Sequence, residues 1–407
     1  MKTQFFLFLV LALAGLNGLG QNPNNECGTD VMHNYLMQTD SAYRAQVISH
    51  EEQIQLILKN QVLQKTSGVV YTIPVVVHVI HTGEPIGTGT NLLDSQIQST
   101  IDGMNTRFRN KNNSGGVDAE IEFCLAARDP NGNPTNGIVR VNGTSVTNYV
   151  TGGIDYFASC PGSANELSVK NLSRWPTTDY YNIWVVNKIC GFTTGTGAYA
   201  YYPGAPSTVD GAVIIYVHFD SSAYEPAHEL GHGFYLYHTF QDGCSTTKPG
   251  DYCADTPMTQ GCAPCAGGTG IWDNSLYNYM SYCPVKNRFT QDQKNRMQAQ
   301  LLIPPRASLL NSQGCISVAG LEENILSRKI SIYPNPTCGK FTIKNEGVMI
   351  EGSEVEIYNV LGEKTFQSLI INYELSIDIS NQPNGIYFLQ VKSENRTVTQ
   401  KLIIQNP

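Results

Sequence analysis

The segment His228-Glu229-Leu230-Gly231-His232, followed by His238, restricts how this 407-residue chain can fold more than any other feature. Two histidines four apart stand on one face of a helix, one turn from each other, where both imidazoles reach a single metal ion. His238 comes six residues after His232. At about 100° per residue, a continuous helix would carry it well off that face. For the three imidazoles to meet, the helix must stop soon after His232 and the chain must bend back. Three imidazoles leave one tetrahedral position open, as catalytic zinc sites do and closed structural sites do not. Glu229 then lies beside the ion without binding it, placed to take a proton from an attacking water. The other histidines have plainer readings. His78 and His218 fall in strand patterns and read as packed or edge residues, and His33, His50 and His81 carry no metal spacing.

The chain opens with Met1-Lys2, an almost wholly apolar run from Phe5 to Ala14, and small residues from Gly15 to Gly20. Residues 1–20 therefore read as a secretory signal peptide, its apolar part too short for a stable membrane span. Eleven cysteines follow, and five of them (Cys244, Cys253, Cys262, Cys265, Cys283) crowd one stretch. Export favours disulfides there; a second, structural zinc site is the alternative. An odd count leaves at least one cysteine without an intramolecular partner. The 26 Lys and Arg against 34 Asp and Glu give a net charge of −8 with no block of like charge, which argues against nucleic acid as a partner. No internal apolar run approaches the roughly 20 residues of a membrane-spanning helix.

Composition shifts mark the domains. Residues 21–66 form a polar N-terminal segment with an amphipathic helical pattern carried by Val47, Ile48, Ile54, Leu56, Ile57, Val62 and Leu63. Residues 67–315 follow. Val69 to Ile80 is nearly continuous and β-branched, as a strand covered on both faces would be. Further strands are predicted at 121–127, 181–186 and 212–217 and a helix at 93–108, an alternation that predicts a mixed α/β core. Residues 325–407 change texture again: six or seven short alternating runs, separated by turn residues such as Pro334-Asn335-Pro336 and Leu361-Gly362-Glu363, predict a small all-β sandwich.

The run from His228 to Phe240, Asp255-Thr256-Pro257, the segment Asn278 to Tyr282 and the segment Phe289 to Met297 together resemble the pappalysin family of metzincin metallopeptidases, over Val69 to Gln313. The resemblance implies an α/β (α+β) metzincin-type catalytic domain with a mixed sheet and an active-site helix. It implies His228, His232 and His238 as zinc ligands and Glu229 as general base. It also implies Met280 as the Met-turn residue beneath the metal, and Tyr282 as a partner for the oxyanion. Asp251, Asp255 and Thr256 match the family's calcium loop. The family pairs cysteines across this loop, and Cys253 has no counterpart there. One position departs from the pattern. Glycine is usual three residues after the second histidine, and here that residue is Tyr235. A left-handed backbone there would cost about 1–2 kcal/mol more than with glycine, unless Gly233 moves the bend earlier. Between Tyr282 and Phe289 the chain carries Lys286 and Arg288 and no acid, so a relative's preference for basic side chains does not carry over.

Cys27-Gly28 resembles the family's cysteine switch, in which a thiolate occupies the fourth zinc position and keeps the precursor latent; a disulfide from Cys27 to the body is the alternative. Release would then need a cut between Lys59 and Val69, with Lys65 a candidate site. The tail, with Tyr333 to Ile343, a later Asn384-Gly385-Ile386-Tyr387 and Lys401, resembles the sorting domain of type IX secretion cargo in Bacteroidetes. The expectation is a secreted, latent zinc endopeptidase that cleaves peptide or protein substrates and is handled by the type IX secretion machinery, with a substrate strand lying along an edge near 195–202. The competing class is an inactive, zinc-containing surface or binding protein.

Overall fold

Tyr71–His81 (β1) runs through the middle of a six-stranded sheet, and the β-branched residues that make it a strand also bury it on both faces. On one side it pairs in parallel with Ile121–Leu125 (β2) over its first half and Ile138–Asn142 (β3) over its second. On the other it pairs with Tyr181–Val186 (β4). Beyond β4 come Ala198–Ala200 (β5) and Ala212–Ile215 (β6), in the order β4-β6-β5. β5 is antiparallel to β6 and is the last strand on that side of the sheet. The computed structural model describes residues 27–60, 68–156, 160–192, 197–317, 330–345, 354–369, 374–393 and 396–406. The signal peptide and Lys65 lie outside these residues. The chain divides into two units, Met1–Ser317 and Val318–Pro407.

In the first unit the helices are Thr29–Thr39 (α1), Ser41–Lys59 (α2), Asp94–Phe108 (α3), Tyr149–Gly152 (α4), Glu166–Lys170 (α5), Glu225–Gly233 (α6), Asp273–Leu276 (α7), Gln291–Gln300 (α8) and Arg306–Leu309 (α9). One face of the sheet packs Ile73, Val75, Val77 and Val79 of β1 against α3, α6 and α8 through Ile97, Ile101, Phe108, Leu230, Phe234 and Met297. The opposite face packs Ile80, Trp184, Val186 and Tyr199 against Met32 and Tyr43 of the N-terminal helices. The amphipathic stretch expected in residues 21–66 is α2 from Val47 to Ile57, with Val62 and Leu63 outside the described residues, and α1 is a further helix before it. Asp40 separates the two, its carboxylate capping α2 by accepting from the Ala42 and Tyr43 amides. Two predicted strands also end early. β2 stops at Leu125, and β6 stops at Ile215, where a turn of 3₁₀ helix at Tyr216–His218 takes His218 off the strand and sets its Nδ1 2.8 Å from Glu225.

Four disulfides join Cys124 to Cys315, Cys160 to Cys190, Cys244 to Cys265 and Cys262 to Cys283. Of the five-cysteine cluster, only Cys253 is left as a free, buried thiol; Cys27 is buried and free as well, and Cys338 is exposed. A short hairpin, Thr259–Gln260 (β7) with Ala263–Pro264 (β8), lies inside this stapled region.

The second unit has two antiparallel sheets. Ile330–Tyr333 (β9), Lys340–Asn345 (β10) and Glu374–Asp378 (β13) form one in the order β13-β10-β9. Glu354–Asn359 (β11), Lys364–Leu369 (β12), Gly385–Ser393 (β14) and Arg396–Ile404 (β15) form the other in the order β12-β11-β14-β15. Phe341, Ile343, Val355, Ile357, Ile377, Leu389 and Leu402 fill the space between, the sandwich that the alternating runs predict.

Candidate metal centre

α6 is short because its sequence stops it. It begins with Pro226 in its first turn and ends at Gly233, whose carbonyl accepts from the Nε of buried Arg306 at 2.8 Å. Both glycines of the helix are set by close approach. A Cβ on Gly231 would lie 2.4 Å from Met280 Sδ, and one on Gly233 would lie 2.2 Å from Tyr181 Oη. Phe234 keeps φ at −110°, and the reversal falls on Tyr235, at φ +72°. The bend is thus not moved forward to Gly233; tyrosine itself takes the left-handed conformation.

That reversal returns His238 to the helix. The Nε2 atoms of His228, His232 and His238 form a triangle with sides of 3.1, 3.2 and 3.2 Å. Each ring turns its other nitrogen to an acceptor: His228 Nδ1 to Tyr279 O at 2.7 Å, His232 Nδ1 to Leu236 O at 2.7 Å, and His238 Nδ1 to Asp30 Oδ2 at 2.8 Å. Donation through Nδ1 leaves three unprotonated Nε2 lone pairs facing one another, an arrangement that repels itself unless a cation sits between them. Burial disfavours charging the rings: it lowers His228 to about 3 and His232 well below its ordinary value. Tetrahedral zinc with bonds of about 2.0–2.1 Å needs ligand nitrogens about 3.3–3.4 Å apart, close to this triangle. The residues fit that ion.

Cys27 Sγ completes the group: one ligand atom from each of Cys27, His228, His232 and His238 lies within 4.8 Å of the others, and all four residues are buried. Cys27 makes a parallel bridge to Ala198 of β5, the Gly28 amide donates to Ala198 O at 2.9 Å, and Thr29 Oγ1 donates to Ala200 O at 3.1 Å. Cys27 Sγ and Thr29 Oγ1 also stand 3.6 and 3.4 Å from Glu229 Oε2, while Glu229 Oε1 has no partner among the described residues. Burial pushes the Glu229 carboxyl up to about 8. Tyr282 Oη donates to Cys27 O at 3.2 Å, with its ring 4.8 Å from that of His238. Met280 is fully buried under α6, its amide held by Asn278 Oδ1 at 2.9 Å.

Comparison with known proteins agrees with this geometry. Residues 165–302 match the family described as pregnancy-associated plasma protein-A, and residues 331–405 match the secretion system C-terminal sorting domain. An extracellular metalloprotease of Sordaria macrospora is 33% identical over 156 residues, covering 33% of this chain and 52% of that protein. One from Neurospora crassa is 31% identical over the same length and shares. The chain thus spans about half the length of these two relatives. Among solved structures, a promirolysin mutant from Tannerella forsythia is 27% identical, with a TM-score of 0.54, covering 70% of this chain and 97% of that one. The first unit thus resembles the pappalysin-like metallopeptidases. The second unit is a secretion sorting domain, and the protein is secreted. No helix among the described residues is long and apolar enough to cross a membrane.

Several parts of this pappalysin-like centre escaped sequence reasoning. Asn278 is gripped by Gln293, which donates to Asn278 Oδ1 at 3.0 Å and accepts from its Nδ2 at 2.8 Å. Gln293 is in turn the third residue of a capping box opened by Thr290, so the start of α8 fixes the turn that carries Met280. Thr290-x-x-Gln293 was readable as a cap, but its link to the Met280 turn is tertiary. Asp30 had no motif to announce it.

The predicted calcium loop is held by its own hydrogen bonds and by α8. Asp251 Oδ2 accepts from Thr256 Oγ1 at 2.6 Å and its Oδ1 accepts from the Cys253 amide. Asp255 faces α8, where it accepts from Thr290 Oγ1 at 2.7 Å and from the Asp292 amide at 3.0 Å. Burial raises Asp251 to about 7.

Proposed function

We propose that this protein is a secreted zinc endopeptidase made as a latent precursor. The observation that carries the reading is the triangle of three unprotonated imidazole nitrogens with Glu229 and Tyr282 beside it. A zinc ion held by His228, His232 and His238 would polarise a scissile carbonyl and acidify water. Glu229 is the general base: placed beside the three histidines, it accepts a proton from water and returns it to the leaving amine. Tyr282 keeps its phenol neutral, because burial pushes its pKa well up, and so remains a donor for an oxyanion. An extended peptide pairs with the outer edge of β5, using the Ala198 and Ala200 backbone groups that now hold Gly28 and Thr29.

In the precursor these same groups are taken. Cys27 fills the fourth ligand position, its carbonyl occupies Tyr282, and Thr29 and Cys27 engage Glu229. The solved relative bears a precursor's name, promirolysin, in keeping with latency. Calcium bound at Asp251, with Thr256 and Asp255 nearby, is a structural addition to the same reading. The sorting domain hands the protein to a type IX secretion machinery.

The processed protein should hydrolyse azocasein, and hydrolysis should vanish with phenanthroline. Glu229→Ala should lower it by about 10²–10⁴-fold while zinc content stays at one per chain. Processed, zinc-loaded wild type that cleaves nothing would overturn the enzyme reading in favour of a binding protein.

A further inference from the structure

β5 is a poor candidate for a rigid platform. It has three residues, one neighbouring strand and an edge that must stay open to receive a peptide. A three-residue edge pair has little hydrogen bonding to hold it. Yet the side chains under it are held by a buried charge pair. Tyr199 Oη donates to Glu166 Oε1 at 2.8 Å, and Tyr201 Oη donates to Glu166 Oε2 at 2.7 Å. Lys170 Nζ lies 2.8 Å from Glu166 Oε1 and donates to Val209 O at 2.6 Å, in the turn that joins β5 to β6. The same ammonium stands over the rings of Trp184, Tyr199 and Tyr201, at 4.6, 5.4 and 4.8 Å from their centroids. Lys170 is 0% exposed and Glu166 8%.

We propose that Glu166 and Lys170 are positioning residues for peptide binding: a buried post that fixes the level of β5, and hence of the extended peptide laid along it, relative to the three histidines. The inference rests on the peptidase reading above. Residues along the strand alternate between the two tasks. Ala198 and Ala200 offer their backbone to the incoming chain, and Tyr199 and Tyr201 reach down to Glu166. Burying a charge pair costs desolvation that an apolar cluster of equal volume would avoid, so stability alone gives no reason for it. Direction does. Two phenols and an ammonium converging on one carboxylate, with the ammonium also held by the Val209 carbonyl, permit a single geometry, whereas apolar packing tolerates sliding.

The test uses Glu166→Gln, and Tyr199→Phe with Tyr201→Phe as a milder pair that removes only the two hydroxyls. In the processed enzyme, KM for a peptide spanning the cleft should rise about tenfold with kcat within about twofold. Inhibition by acetohydroxamate, which needs only the metal, should not change. In the full-length precursor, alkylation of Cys27 by iodoacetamide, followed by peptide mass spectrometry, should accelerate about tenfold because its strand partner has loosened. Cys253, buried elsewhere, should label no faster. Unchanged KM and unchanged Cys27 labelling would overturn the proposal. So would Cys253 labelling that rises in step with Cys27, since that signals general destabilisation. Should wild type prove inactive, the peptidase reading falls, and the labelling comparison still decides whether the post sets β5.

Discussion

Asp30 Oδ2 lies 2.8 Å from His238 Nδ1, so a residue of the N-terminal helices orients the third histidine of the metal centre. An outer partner of this kind is commonly worth about 10–100-fold in metal affinity. Asp30→Ala should therefore weaken zinc binding by the precursor to that extent, measured by chelator competition. A form cut between Lys59 and Val69, which would lack Asp30, should bind zinc equally well whether or not the precursor carried Asp30→Ala.

Latency should depend on the Cys27 thiol. Cys27→Ser keeps the hydrogen-bonding pattern of the strand contact and removes the soft ligand. The unprocessed Cys27→Ser precursor should cleave a small fluorogenic peptide measurably, where the wild-type precursor does not. Equal silence in both would show that the helices block the cleft without help from the sulfur.

The metal-free protein should have an unusual pH profile. Burial lowers His228 from 6.5 to about 3, so its contribution is present above pH 6.5 and is lost as the pH falls toward 3. Glu229 is raised by burial from 4.5 to about 8, so its contribution is full below pH 4.5 and is lost as the pH climbs toward 8. Asp251, raised to about 7, shares the sign of Glu229. Chemical denaturation of the stripped precursor should show stability falling by about 2 kcal/mol or more between pH 6.5 and 8. Glu229→Gln should flatten part of that decline.

Asp251 supplies a direct assay for calcium. Above its pKa of about 7 it is a buried anion, on which Arg296 acts only weakly against the cost of burial. Calcium should raise the melting temperature more at pH 8 than at pH 6, and Asp251→Asn should abolish the difference. No stabilisation at either pH would remove calcium from the loop.

Tyr235 carries left-handed strain yet is fully buried among Tyr202, Tyr237 and Arg296, with its hydroxyl donating to Val47 O at 2.8 Å. Tyr235→Gly would relieve about 1–2 kcal/mol of strain. Truncating a buried aromatic costs about 3–5 kcal/mol. Packing wins, and the precursor should lose about 2 kcal/mol in urea denaturation. After α2 departs, the processed form should lose less.

The two helical histidines, the bend and the third histidine were legible because a metal site writes its spacing into the chain. Strands β1 and β4 were legible because burial on both faces demands an uninterrupted apolar run. What was hidden depended on contacts distant in sequence. Asp30 meets His238 across 208 residues, and Arg296 meets Glu51 of α2 across 245, in a buried bidentate pair with bonds of 2.9 and 2.8 Å. Neither position stands out by residue type or spacing. His218 misled the strand reading because Tyr216 and Val217 continue the β-branched and aromatic composition past the point where β6 turns.

The Cys124–Cys315 disulfide ties β2 to the last residues of the first unit, where Gly314 O also receives the Ala127 amide at 2.7 Å. A chain end sutured in this way cannot peel back from its sheet. Trimming anywhere beyond Ser317 therefore leaves a hem that is already stitched, and the first unit keeps its last turn whether or not the second is still attached.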